Sequence, residues 1–147
     1  MKVFLDTNVI ASATATRGLC ADVFRSVIEF HELVVSETLF NELKRILRKK
    51  FNASDTLIAD ILWLLQQDTF FAESEPLAEL RLKDPADIAM VSSAINGGAE
   101  IMVTGDKEIL ALRRIGDLEI VSPRQFWEKQ KGQSWHAGYR PPAAGPA

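Results

Sequence analysis

The sequence predicts an α/β layered domain built on a parallel sheet. Short apolar runs of strand length alternate with longer amphipathic stretches nearly throughout. Most of those stretches open on a polar capping residue. The chain has 147 residues, 47% of them hydrophobic, which suits one domain with a real core.

Residues 3–5 (Val-Phe-Leu) form a buried strand that Asp6-Thr7-Asn8 ends. Gly18 closes a loop, and residues 21–30 read as a helix with Val23, Phe24, Val27 and Ile28 on one face. Residues 33–35 (Leu-Val-Val) make the next strand. Ser36 then caps a helix running to about Lys49, with Leu39, Phe40, Leu43, Ile46 and Leu47 turned inward. Ser54 caps another helix through Ile58, Ile61 and Leu65, and residues 69–72 suggest a further strand. Asp84-Pro85 starts a helix that Gly97-Gly98 ends. Residues 101–104 are a strand, and Gly105-Asp106 turns into a helix through Ile109, Leu110 and Leu112. Residues 118–121 are the last strand, and Ser122-Pro123 opens a closing helix through Phe126 and Trp127. The domain is expected to span residues 1–131. Residues 132–147, rich in Gly, Pro and Ala, are expected to form a disordered tail on which Trp135 and Tyr139 are the only large apolar groups.

Several function classes are disfavoured by composition. Cys20 is the single cysteine, which excludes an internal disulfide or a thiolate zinc cluster. No histidine lies near it in sequence, so it reads as a packed residue and not a nucleophile. His31 and His136 match no metal-ligand spacing. Lys2 interrupts any signal-peptide core, and the longest apolar stretch, residues 57–65, is broken by Asp60 and too short to span a bilayer. A cytoplasmic protein without membrane contact is expected. Net charge is −3, unlike a general nucleic-acid binder, but Lys44, Arg45, Arg48, Lys49 and Lys50 put five cations in seven residues. That run would track an RNA backbone or, more simply, form a solvated helix face. Trp63 is expected in the core or at a dimer contact. No Gly-x-Gly-x-x-Gly follows the first strand, which argues against a nucleotide-binding Rossmann domain.

Four acids stand out by position. Asp6 and Asp106 each directly follow a strand, and functional groups in open α/β sheets collect at such ends. Asp87 projects with Ile88, Val91 and Ala94, the apolar side of its helix. Glu42 lies at the edge of the arc made by Leu39, Leu43 and Ile46, with the cations Lys44, Arg45, Arg48 and Lys49 opposite that arc. Each acid also has a purely structural use: Asp6 in an Asx turn, Asp87 at a helix N-terminus, Asp106 as a cap, Glu42 on the surface. Were the four to meet, their repulsion would need a cation, and an all-oxygen set suits Mg²⁺ or Mn²⁺. Such ions activate water and stabilise charge on a phosphate, so phosphodiester hydrolysis is the natural chemistry. Thr7, Asn8 and Thr104 would hold waters or ligating oxygens.

These residues resemble the PIN-domain family, and within it the VapC-like bacterial branch of toxin components of toxin–antitoxin pairs. The resemblance covers about residues 1–128. It is carried by Val-Phe-Leu-Asp6-Thr7-Asn8-Val-Ile-Ala-Ser12, Val34-Val35-Ser36-Glu37 with Glu42-Leu43, Asp84-Pro85-Ala86-Asp87 and Val103-Thr104-Gly105-Asp106-Lys107. It implies a three-layer α/β/α domain with a central parallel sheet of four or five strands, the first and fourth adjacent. It implies Mg²⁺- or Mn²⁺-dependent RNA cleavage, an antitoxin partner and a homodimer. Asp6, Glu42, Asp87 and Asp106 become candidate metal ligands and catalytic acids, Asp84 an auxiliary acid or cap, and Lys107 a phosphate contact. The alternatives are a PIN-like protein that binds RNA or a partner without catalysis, a housekeeping RNA-processing nuclease, and a phosphoryl-transfer enzyme with an aspartyl nucleophile. The last usually has a second aspartate where this chain has Asn8.

Overall fold

A computed structural model describes residues 1–77 and 79–132. The proposed tail beyond Gly132 lies outside the described residues. In chain order the elements are β1 (Lys2–Leu5), α1 (Thr7–Ala15), α2 (Leu19–Phe30), β2 (Glu32–Ser36), α3 (Glu37–Lys49), α4 (Asp55–Leu65) and β3 (Phe70–Ala72). They continue with α5 (Pro85–Asn96), β4 (Ile101–Val103), α6 (Lys107–Leu110), β5 (Arg114–Ile115), β6 (Leu118–Val121) and α7 (Pro123–Gly132).

The strands form one sheet in the order β3-β2-β1-β4-β6-β5. All neighbours are parallel except β5 and β6. β1 is the pivot: Phe4 pairs with Val34 of β2 on one side and Met102 of β4 on the other. From β1 the chain works outward through β2 and β3, then returns to the opposite side of β1 as β4. That reversal of strand order opens the crevice where α/β sheets carry their sites, at the carboxyl ends of β1 and β4. Val3, Phe4 and Leu5 are fully buried, as expected for a strand covered on both faces. The helices add Ile10, Leu39, Leu43, Leu47 and Phe126 to the core, and α1 packs on both α2 and α3. No described helix is long and apolar enough to cross a membrane.

Four details depart from the sequence expectations. Thr7–Ala15 is a helix, where only a loop was expected, and it buries Val9, Ile10 and Ala11. The helix after Asp106 stops at Leu110 instead of reaching Leu112, because Arg113 adopts the left-handed conformation (φ 58°) and turns the chain away. That turn feeds β5, a two-residue antiparallel strand joined to β6 through Gly116 at φ 56°, so the sheet has six strands, five of them parallel. Of the two places expected for Trp63, the core is ruled out, since the residue is 64% exposed.

Gly97 ends α5 against the sheet. A Cβ there would lie 2.4 Å from Val34 Cγ1 and 2.9 Å from Ala72 Cβ. Val34 is fully buried and β-branched, so it cannot swing aside. Gly97→Ala should therefore destabilise by about 1–3 kcal/mol through overpacking. Gly105→Ala, with nothing within 4 Å of the added Cβ, should stay within about 0.5 kcal/mol of the parent. Equal urea midpoints for the two variants would show that the packing around Gly97 is loose.

Candidate functional site

Asp6 leaves β1 and caps α1. Its backbone N–H donates to Val103 O at 2.9 Å, extending the ladder with β4 by one rung. The side chain is 7% exposed. Its Oδ1 accepts from the Thr7 amide at 2.8 Å, and its Oδ2 accepts from the Thr104 hydroxyl at 2.7 Å. Thr104 Oγ1 in turn accepts from the Asp106 amide at 3.0 Å. One buried hydroxyl thus joins the ends of β1 and β4 and fixes the start of the Asp106 turn. Replacing it, as in Thr104→Val, leaves a buried carboxylate oxygen and an amide without that partner. The expected loss is about 1–3 kcal/mol in chemical denaturation, and parental stability would show that water replaces the hydroxyl fully.

Asp106 is half-buried. Its Oδ1 accepts from the amides of Glu108 (2.8 Å) and Ile109 (3.1 Å), which caps α6. Asp87 lies in the first turn of α5, behind the cap Asp84, whose Oδ1 accepts from the Ala86 amide at 2.9 Å. The Asp87 carboxylate makes no hydrogen bond or ion pair among the described residues. Glu42, half-buried on α3, is held by both the Nε and an Nη of Arg45, one turn along. This departs from the expected separation of the helix's acid from its cations.

The electrostatics bring the acids together. Burial pushes the Asp6 carboxyl above its ordinary pKa; the Thr104 hydroxyl and Thr7 amide oppose this, while Asp106 and Glu42 add to it. Asp87 is pushed up to about 6, first by burial, then by Asp106, Asp84, Asp6 and Glu108. Asp6, Glu42, Asp87 and Asp106 therefore share one field, with Asp84 and Glu108 nearby. Glu108 had not been singled out from sequence, although it stands two residues after Asp106. Thr7 turns its hydroxyl to Met90 Sδ (3.7 Å), so it serves the acids through its amide and not through its hydroxyl. Asn8 and Lys107 are exposed, in the first turns of α1 and α6. Burial raises the pKa of the half-buried Cys20 thiol, which fits a packed residue.

Among the described residues, no group of three or more acidic, histidine or cysteine side chains stands ready to hold one ion. The donor set still fits a hard divalent cation. Mg²⁺ keeps several waters and needs only one or two carboxylates, and among the described residues Asp6, Asp87 and Asp106 are paired with no cation.

The fold is an α/β domain with Asp6 and Asp106 just beyond the adjacent strands β1 and β4, where the strand order reverses. Residues 2–108 match the PIN domain, so the chain belongs to the PIN-domain family. No curated protein matches the sequence. Among solved structures, the fold is similar to VapBC2 from Rickettsia felis bound to a DNA fragment from their promoter. The TM-score is 0.61 at 17% identity, over 83% of this chain and 98% of that one. It is also similar to VapBC-1 from nontypeable Haemophilus influenzae, with a TM-score of 0.55 at 17% identity, over 84% and 99% of the two chains.

Proposed function

We propose that this PIN-domain protein is a Mg²⁺- or Mn²⁺-dependent endoribonuclease and the toxin component of a bacterial toxin–antitoxin pair. The observation that carries the proposal is the shared field of Asp6, Glu42, Asp87 and Asp106, four acids from four elements, of which only Glu42 is paired with a cation among the described residues. In this reading those four carboxylates hold the divalent cation. The bound ion would lower the pKa of a water and offset charge on the scissile phosphate. The chain's own part is positioning. The Thr7 amide and Thr104 hydroxyl keep the Asp6 carboxylate oriented, and the α6 amides do the same for Asp106. Asp84 fixes the start of α5 and so the place of Asp87. Asn8, exposed beside Asp6, holds a water or a ligating oxygen, and Lys107, exposed beside Asp106, contacts an RNA phosphate. The likeness to VapBC structures supports a cognate antitoxin as partner, and the protein acts in the cytoplasm as a homodimer.

The test is cleavage of a labelled structured RNA by protein stripped with a chelator, then supplied with Mg²⁺ or Mn²⁺. Cleavage should appear only on metal return. Intact RNA under every metal, or equal cleavage in chelator, would remove the nuclease reading.

A further inference from the structure

We propose that Arg45 is a resident counter-cation of the acid site, which releases Glu42 when a divalent cation binds and then takes the RNA phosphate. The proposal rests on the metal-dependent nuclease reading and adds a positioning and substrate-contact residue to it.

Glu42 is close enough to Asp6 to raise its pKa, yet both its oxygens are turned to Arg45. Among the described residues, Arg45 is the one cation ion-paired to any of the four acids. A carboxylate engaged on both oxygens by a guanidinium has about half its lone-pair sites occupied and its charge offset, which weakens it as a metal ligand. In the metal-free protein Arg45 therefore offsets the charge of Glu42 and withholds its carboxylate from a cation.

Arg45 is also placed to leave. Its side chain is 53% exposed, so the pair is held by contact and not by burial. It sits one helical turn from Glu42, on the same helix as Lys44, Arg48 and Lys49. A guanidinium freed at this position faces an arriving phosphodiester, whose oxygens match its forked donors at least as well as a carboxylate does. Arg48 makes a useful contrast. It carries the same charge one turn further along but pairs with Asp55 at 3.4 Å, outside the acid cluster.

The experiment compares wild type, Arg45→Gln and Arg48→Gln, which differ from wild type by the same unit of charge. Mn²⁺ binding is measured calorimetrically without RNA. Arg45→Gln should bind Mn²⁺ about two- to fivefold more tightly than wild type, the range set by an exposed ion pair, while Arg48→Gln changes little. RNA binding is then measured with Ca²⁺ in place of Mn²⁺ across a salt series. Arg45→Gln should bind RNA more weakly and reduce the log–log salt slope by about one phosphate contact. Equal Mn²⁺ affinities for the two variants would overturn the counter-cation role, and an unchanged RNA salt slope in Arg45→Gln would overturn the phosphate role. No Mn²⁺ binding by wild type would instead sink the nuclease reading itself, and this proposal with it. The two failures are thereby distinguishable.

Discussion

Asp6→Asn should reduce RNA cleavage on the order of a thousandfold, the scale for removing a group that stabilises charge in the transition state. The substitution preserves shape. The amide oxygen can still accept from the Thr7 amide, and Thr104 Oγ1 has a second lone pair for the new amide donor. What disappears is a buried negative charge whose pKa burial already raises. Metal-free stability should therefore be unchanged or rise by about 1 kcal/mol. Single-turnover cleavage at saturating Mn²⁺, together with thermal melting in chelator, reads both effects. Wild-type cleavage by the variant would place the reaction elsewhere. Lost cleavage with a collapsed melting temperature would make Asp6 a structural residue.

In chelator, the protein should lose stability as pH rises from about 4 to 6.5, and Asp87 should account for much of the slope. Its carboxyl is raised from 3.8 to about 6 in the folded state, by burial first and then by Asp106, Asp84, Asp6 and Glu108. The folded chain thus holds the proton more tightly than the unfolded chain. The resulting stability is complete below the unfolded pKa and disappears as pH passes through the folded one. Two units set an upper limit near ~3 kcal/mol, and partial exposure of Asp87 reduces the expected effect to roughly 1–2 kcal/mol. Asp6 shifts in the same direction and adds to the slope. Asp87→Asn should be nearly as stable as wild type at pH 4 and more stable at pH 7. A cation held by these acids reverses the trend: Mn²⁺ at a hundred times its Kd adds about 2.7 kcal/mol at pH 7 and little at pH 4, where the carboxyls are protonated. A pH-independent gap between variant and wild type in urea titrations would show that Asp87 is not under this repulsion.

Much of the fold was legible because the apolar runs are short, separate and capped. Ser36, Ser54 and Asp84 each accept from a first-turn amide, as their residue types suggested. α1 was hidden because its small and β-branched residues show weak amphipathicity, and because Asp6-Thr7-Asn8 suits an Asx turn as well as a cap. β5 was hidden because a two-residue strand carries no periodicity and depends on left-handed conformations at Arg113 and Gly116. For the site, strand ends pointed to Asp6 and Asp106, and helical phase pointed to Asp87. The Arg45–Glu42 pairing was open to an i,i+3 reading of α3, whereas the Thr104 bridge was not, since a contact across 98 residues exists only once β4 lies beside β1.

That span bears on how the protein comes into being during translation. A growing chain that ends before Thr104 lacks the hydroxyl that orients Asp6, and lacks Asp106 altogether. Incomplete products, whether stalled or clipped, would carry the early aspartate without its surroundings. A site assembled this late stays incomplete until most of the polypeptide has emerged.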